Sequence, residues 1–260
     1  MSAPTVVLIH GAWLSPASWD RFAERFEGSG YDCLALGWPY EDRPADQLRA
    51  SPLPELAGVG VTEIVDHLAT RISSLSDAVL VGHSFGGLFV QQLLDRGLGR
   101  AGVAIHPAPG RGVLPNPAAV RASGGVLKVW QFWKRVLTMS RKDFDRYFAN
   151  GLPEDQRAAE YQAQVIPTPG RIFFQAATAL LHHATEIRYD NPSRAPLLLM
   201  AGSEDRTVPA ALVRTTHRRH QASPAATQLV EFPGRSHYTM REPGWEQVAD
   251  RARQFWESLL

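Results

Sequence analysis

The segment from Gly82 to Gly87 (GHSFGG) has the residue types needed for nucleophilic catalysis. A buried run, Ala78 to Val81, precedes it, and an apolar helical pattern from Leu88 to Leu94 follows it. This strand–turn–helix setting exposes a serine hydroxyl at a strand end, next to a helix N-terminus that favours negative charge. The segment lacks the spacing of the phosphate-binding glycine loops. We therefore predict that Ser84 is a nucleophile.

A carboxylate and a histidine follow the last two predicted strands. Asp205 lies a short turn beyond the run Pro196–Ala201, and His237 lies on the loop after Thr227–Phe232. A serine becomes nucleophilic when a histidine takes its proton and a carboxylate orients that histidine. We predict that His237 is the base and Asp205 the orienting acid. Glu204, one residue earlier, remains the alternative acid.

The loop after the first strand, HGAW from His10 to Trp13, can supply part of an oxyanion hole. A tetrahedral oxyanion needs two preorganised N–H donors. We predict that these are the backbone N–H groups of Ala12 and Phe85. For His10 a structural role in holding the loop is favoured over a catalytic one.

Strands alternate with helices over both ends of the chain, which predicts an α/β fold with a parallel sheet covered on both faces. The first predicted strands are Thr5–Ile9, Tyr31–Leu36, Ala78–Val81 and Ala101–Ile105. The predicted helices between and after the strands are a segment from Ser15 through Phe26, Val61–Ser74, Leu88–Leu94, Ala210–Arg219 and Trp245–Leu260. Residues 37–60 are predicted to form a loop with one helical turn at most.

Residues 110–194 contain no convincing strand and are predicted to be a helical cap inserted into a core made of residues 1–109 and 195–260. The predicted cap helices are Val126–Leu137, Arg141–Asn150, Asp155–Gln164 and Arg171–His182. We expect some of the many cap aromatics to face Ser84 and favour apolar substrates. The cap has twelve Lys and Arg against seven Asp and Glu, so attraction of an anionic substrate group is a second, weaker expectation.

The predicted substrate-binding residues combine positions near Ser84 with cap aromatics. They are Trp13, His83, His106, Trp130 and Trp133. For His83 the alternative is packing beside the nucleophile, and for His106 it is simple packing at the same sheet edge.

Composition argues against several classes of partner. The formal net charge of +1 gives no electrostatic reason to bind nucleic acid or an anionic membrane. Cys33 is the only cysteine, so no internal disulfide can form, and its apolar context is typical of an inert thiol. The sequence shows neither a signal peptide nor an apolar run of about 18 residues, so we expect a cytoplasmic protein. No histidine pair has the further ligands of a metal site.

Together these motifs resemble the α/β-hydrolase superfamily, in which nucleophile, acid and base follow one another in this order. The likeness covers nearly the whole chain outside the cap and is nearest to small bacterial esterases and plant methylesterases. It implies a six-stranded, mostly parallel core, a helical cap and no cofactor. It also implies hydrolysis of a carboxylic ester, lactone or thioester of a small molecule, with a homodimer left open. The alternatives are acyl transfer or lyase chemistry with the same triad, and a non-catalytic binding protein. Some lyases of the superfamily have a hydroxyl residue where this chain has Ala12.

Overall fold

The computed structural model describes residues 4–75, 77–114, 121 and 124–259. Its strands are β1 (Thr5–Ile9), β2 (Asp32–Leu36), β3 (Val79–His83), β4 (Ala101–Ile105), β5 (Val136–Leu137), β6 (Thr168–Pro169), β7 (Leu197–Gly202) and β8 (Thr227–Phe232). Its α-helices are α1 (Asp20–Glu27), α2 (Ala45–Ala50), α3 (Val61–Ile72), α4 (Phe85–Asp95), α5 (Gly124–Leu127), α6 (Arg141–Asp143), α7 (Glu154–Gln164), α8 (Gly170–Ala177), α9 (Ala210–His220) and α10 (Trp245–Glu257).

Six of these strands form one parallel sheet in the order β2-β1-β3-β4-β7-β8. The four central strands are almost entirely buried, because helices cover both faces, and this explains their unbroken apolar sequences. The edge strands β2 and β8 are partly exposed. The predicted α/β fold with a six-stranded parallel core is confirmed.

The sheet order determines where the chemistry-bearing residues meet. Strands β1, β3, β4, β7 and β8 are followed directly or after a short turn by His10, Ser84, His106, Asp205 and His237, respectively. In a parallel sheet the carboxyl ends of all strands lie at one edge. The five side chains therefore gather at that edge although they are far apart in sequence.

Residues 110–194 differ from the expectation of helices alone. Strands β5 and β6 form a short antiparallel pair, with Val136 opposite Pro169 and Leu137 opposite Thr168. The predicted helix Val126–Leu137 is instead α5, the 3₁₀ turn Phe132–Lys134 and strand β5. Two-residue strands carry no alternation of apolar and polar residues, so the sequence offers no period from which to predict them. The loop predicted over residues 37–60 contains α2 and the 3₁₀ turn Pro54–Gly58.

A buried histidine at the end of α9 makes stability depend on pH. His220 is 1% exposed, and its Nε2–H donates to Gln91 Oε1 at 3.0 Å. Burial, followed by the nearby Arg194, His217 and Arg219, lowers the pKa of His220 from 6.5 to about 3. Between these two values the unfolded chain binds a proton that the folded protein does not, so stability falls as the pH decreases through this window.

We expect His220 alone to reduce the free energy of unfolding by about 2 kcal/mol between about pH 7 and about pH 5. The variant His220→Gln keeps a donor for Gln91 but cannot titrate, so its loss over the same interval should be smaller. Urea unfolding at the two pH values measures this, with His217→Gln as the control. An equal acid-induced loss in wild type and His220→Gln would contradict the assignment.

Candidate active site

Ser84 occupies a sharp turn between β3 and α4. Its backbone has φ 56° and ψ −119°, a conformation that L-residues rarely adopt and that strains the turn. A Cβ at Gly86 would collide with the carbonyl groups of Ile9 and His10. Glycine at that position therefore lets the start of α4 pack against the end of β1. The serine is buried, with 6% exposure, yet it lines an internal cavity.

The loop after β1 lies directly against Ser84. A Cβ at Gly11 would lie 2.7 Å from Ser84 Cβ, so only glycine permits this approach. The backbone at Trp13, two residues later, is held by a residue of the segment 110–194, because Trp13 N–H donates to Thr168 Oγ1 at 2.7 Å. Within the described residues, neither Ala12 N–H nor Phe85 N–H donates a hydrogen bond, and both residues line the cavity with Ser84. The assignment of these two groups to an oxyanion hole therefore stays a prediction with which their positions are compatible.

Asp205 and His237 are joined by a hydrogen bond, through which a carboxylate can orient an imidazole ring. His237 Nδ1–H donates to Asp205 Oδ2 at 2.7 Å, and both side chains are fully buried. This bond leaves His237 Nε2 as the unprotonated, accepting nitrogen. Nε2 has no partner in the described part of the chain, and no hydrogen bond joins it to Ser84 there. Such a bond often tightens only when substrate is bound.

Four donors surround the Asp205 carboxylate. Oδ1 accepts from the N–H groups of Thr207 and Val208, at 2.8 and 2.7 Å, and Oδ2 accepts from two histidines. Burial raises the pKa of the Asp205 carboxyl, but the charge of His237 and the hydrogen bonds from His106 and His237 outweigh burial and hold that pKa well below its usual range. The carboxylate is therefore ionised throughout the neutral range.

His83 packs against His237 and lies outside the cavity lining. Its Nε2–H donates to the backbone oxygen of His237 at 2.8 Å, and the two rings have centroids 4.6 Å apart. Burial, assisted by His237 and His106, lowers the pKa of His83 well below its ordinary value, so the ring is neutral. The structure thus favours packing beside the nucleophile over the predicted contact with substrate.

His106 is also placed differently from the expectation. Instead of lining the pocket, its fully buried ring donates from Nδ1–H to Asp205 Oδ2 at 2.8 Å. The partner lies 99 positions away in sequence, so only the strand position of His106 hinted at this contact. The ligand atoms of His106, Asp205 and His237 lie within 4.8 Å of one another, the spacing of a metal site. Both Nδ1 atoms donate hydrogen bonds to Asp205, so hydrogen bonding explains why these three side chains lie together.

The cavity above Ser84 is narrow and almost wholly apolar. Its volume is about 170 Å³. The core side of its wall comprises Ala12, Trp13, Phe85, Ala108, Pro109, Thr207, Val208 and Leu212. The cap side comprises Val126, Leu127, Met139, Asp143, Tyr147, Phe173, Ala176 and Ala177. Among these described residues Asp143 is the only charged one.

Of the predicted substrate-binding aromatics, only Trp13 lines this cavity, where its ring stacks on Phe173 with centroids 4.6 Å apart. Trp130 is 76% exposed and is not part of the cavity lining. Trp133 packs against Phe174 and lines a separate surface groove. The irregular 3₁₀ turn that contains Trp133 has no helical period from which its direction could be read. Tyr147 and Phe173 are the cap aromatics that face Ser84.

A parallel sheet, a serine on a strand–helix turn, and a hydrogen-bonded aspartate and histidine beyond the last two strands are the features of an α/β-hydrolase architecture. The sequence profile described as the alpha/beta hydrolase family matches residues 6–251, and the chain belongs to this family. No curated protein sequence matches it. In the described residues, no helix is both long and apolar enough to cross a membrane.

Solved structures share the fold at low sequence identity. Tomato methylketone synthase I in complex with 2-tridecanone is 15% identical over 99% of both chains, with a TM-score of 0.71. A methylesterase from Arabidopsis is 15% identical over 99% of this chain and 100% of its own, also with a TM-score of 0.71. A pyrethroid hydrolase from Sphingobium faniae is 19% identical over 98% of this chain and 97% of its own, with a TM-score of 0.69.

Proposed function

We propose that the chain is a serine esterase that hydrolyses small, apolar carboxylic esters through an acyl-enzyme on Ser84. The observation that carries this is the pairing of His237 with Asp205. This pairing leaves Nε2 of His237 as a hydrogen-bond acceptor in a buried site. The site lies at the sheet edge where the parallel strands end, and the strained Ser84 lies at the same edge. Two backbone N–H groups, on Ala12 and Phe85, have no hydrogen-bond partner in the described residues and belong to residues that line the cavity with Ser84.

The reaction follows from these groups. His237 Nε2 takes the proton of the Ser84 hydroxyl as its oxygen attacks the ester carbonyl, and the developing imidazolium is stabilised by ionised Asp205. The N–H groups of Phe85 and Ala12 stabilise the oxyanion. His237 then gives its proton to the departing alcohol, and a water activated in the same way releases the acid.

The size and lining of the cavity indicate the substrate. A volume of about 170 Å³ is close to the roughly 150 Å³ of an engineered apolar cavity that binds benzene. We infer that it accepts a phenyl-sized or short branched group of the ester. Asp143, whose Oδ2 accepts a hydrogen bond from Ser140, is the charged member of the wall. Its carboxylate disfavours an anionic substrate group, so we do not extend the basic composition of the cap to anion binding.

The test is a series of p-nitrophenyl esters assayed with purified protein. Burial of each CH₂ contributes about 0.8 kcal/mol, so kcat/KM should rise roughly tenfold or more from acetate to butyrate and phenylacetate. Adding a carboxylate to the acyl chain should remove this gain. A constant preference for acetate would contradict the assignment of the cavity as the substrate site.

A matched pair of variants ties the selectivity to the cavity. Ala176 lines the wall, whereas Ala179, three residues later, lies outside the lining. Ala176→Leu should lower turnover of the larger esters more than that of acetate, and Ala179→Leu should not. Product analysis in ¹⁸O-labelled water separates hydrolysis from transfer, since hydrolysis places the label in the released acid.

A further inference from the structure

His106 is held in place more firmly than packing alone requires. It follows β4 with a backbone φ of 48°, a left-handed conformation that is uncommon outside glycine. Its N–H donates to Met200 O in β7 at 2.9 Å, which fixes its backbone against the strand that leads to Asp205. The side chain has no exposed surface.

Within the described residues, the only side-chain hydrogen bond of His106 goes to Asp205 Oδ2, the same oxygen that His237 contacts. Asp205 Oδ2 accepts from His106 Nδ1–H at 2.8 Å and from His237 Nδ1–H at 2.7 Å. Because Oδ1 is held by two backbone N–H groups, the carboxylate cannot rotate without breaking several bonds. His106 thus completes a four-donor cage around Asp205.

The two ring nitrogens of His106 differ in their surroundings. Its Nε2 is buried and has no partner in the described residues. The bond to Asp205 places a proton on Nδ1. The titratable groups packed against His106 and His237 are Asp205 and His83, and His83 is neutral because it is buried.

We propose that His106 is a positioning residue that fixes Asp205 and, by sharing Oδ2, sets the pH range over which His237 acts as base. The proposal rests on the proposed esterase function for its catalytic meaning. A donor bonded to Oδ2 draws negative charge away from the bond to His237 and so weakens stabilisation of the protonated base.

Two variants separate this role from packing. His106→Gly removes the donor and suits the positive φ, and His106→Asn also tolerates that backbone while offering an amide N–H to Asp205. In His106→Gly, kcat/KM for the best ester should fall by roughly 10- to 100-fold. The acid limb of its pH profile, where kcat/KM falls as His237 is protonated, should move up by about half to one pH unit. His106→Asn should keep the acid limb near its wild-type position. His220→Gln, which changes a buried histidine remote from Asp205, is the control.

A second measurement does not depend on turnover. NMR of ¹⁵N-histidine-labelled protein follows the titration of the His237 ring, and its midpoint should rise in His106→Gly but not in His106→Asn. If wild type hydrolyses no ester, the proposed function fails while this titration still tests the link between the two histidines. Identical His237 titrations and acid limbs in wild type and His106→Gly would overturn the proposal and leave His106 a packing residue.

Discussion

Replacing Ser84 by alanine is expected to lower kcat for ester hydrolysis by roughly 10⁴- to 10⁶-fold, because the variant lacks the attacking hydroxyl. The residual rate would come from the oxyanion hole and substrate binding. His237→Ala should cause a loss of similar size, since the unactivated hydroxyl is a poor nucleophile. The double variant should be little worse than either single one, because the two residues act as a unit.

The measurement is steady-state hydrolysis of the best ester, together with labelling by a fluorophosphonate probe that reacts with activated serines. Wild type should be labelled on Ser84 and Ser84→Ala should not. Ser18→Ala is the matched control, because Ser18 is equally buried but donates its hydroxyl to Ser15 O, away from the cavity. Turnover by Ser84→Ala within about tenfold of wild type would contradict a mechanism in which Ser84 is the nucleophile.

The core could be predicted from the sequence because burial acts on it directly. The bounds of β1, β4 and β8 agree with the segments predicted for them. Strand β3 continues two residues beyond the predicted end, through Gly82 and His83. Those residues look like turn residues in the sequence, but pairing with β1 and β4 extends the strand over them.

The sequence also predicts that Asp205 and His237 lie close together, because strand ends in a parallel sheet share one edge, and the two side chains are hydrogen-bonded. The sequence does not determine the direction in which a single side chain points. His106 was expected in the pocket, yet it turns toward Asp205 because its backbone is left-handed and Asp205 offers an acceptor. Trp130 and Trp133 lie in a cap made of short, irregular segments, where neither helix nor strand periodicity determines which side faces Ser84.

The structure separates the two carboxylates that the sequence left as candidates for the acid. Asp205 is buried and bonded to His237, whereas Glu204 is exposed and contributes only backbone groups, its N–H to Arg235 O and its O to Asn150. We expect Asp205→Asn to lower kcat by about 10⁴-fold, as the loss of a triad carboxylate does in serine proteases. Glu204→Gln should stay within about twofold of wild type.

The size of the Asp205→Asn effect follows from the hydrogen-bond inventory. An asparagine has one acceptor oxygen, but the native carboxylate accepts from two backbone N–H groups on Oδ1 and from two imidazole N–H groups on Oδ2. If the amide oxygen stays with Thr207 and Val208, its NH₂ group faces both histidines. His237 must then carry its proton on Nε2, where it can no longer accept one from Ser84.

The two variants are compared by kcat at saturating ester, with thermal unfolding to show that both are folded. The tautomer argument adds a second observable, since ¹⁵N NMR of the histidine rings should report protonation of His237 at Nδ1 in wild type and at Nε2 in Asp205→Asn. A larger loss of kcat in Glu204→Gln than in Asp205→Asn would show that the exposed carboxylate is the acid. An unchanged His237 tautomer alongside a large loss would place the effect of Asp205 in charge stabilisation alone.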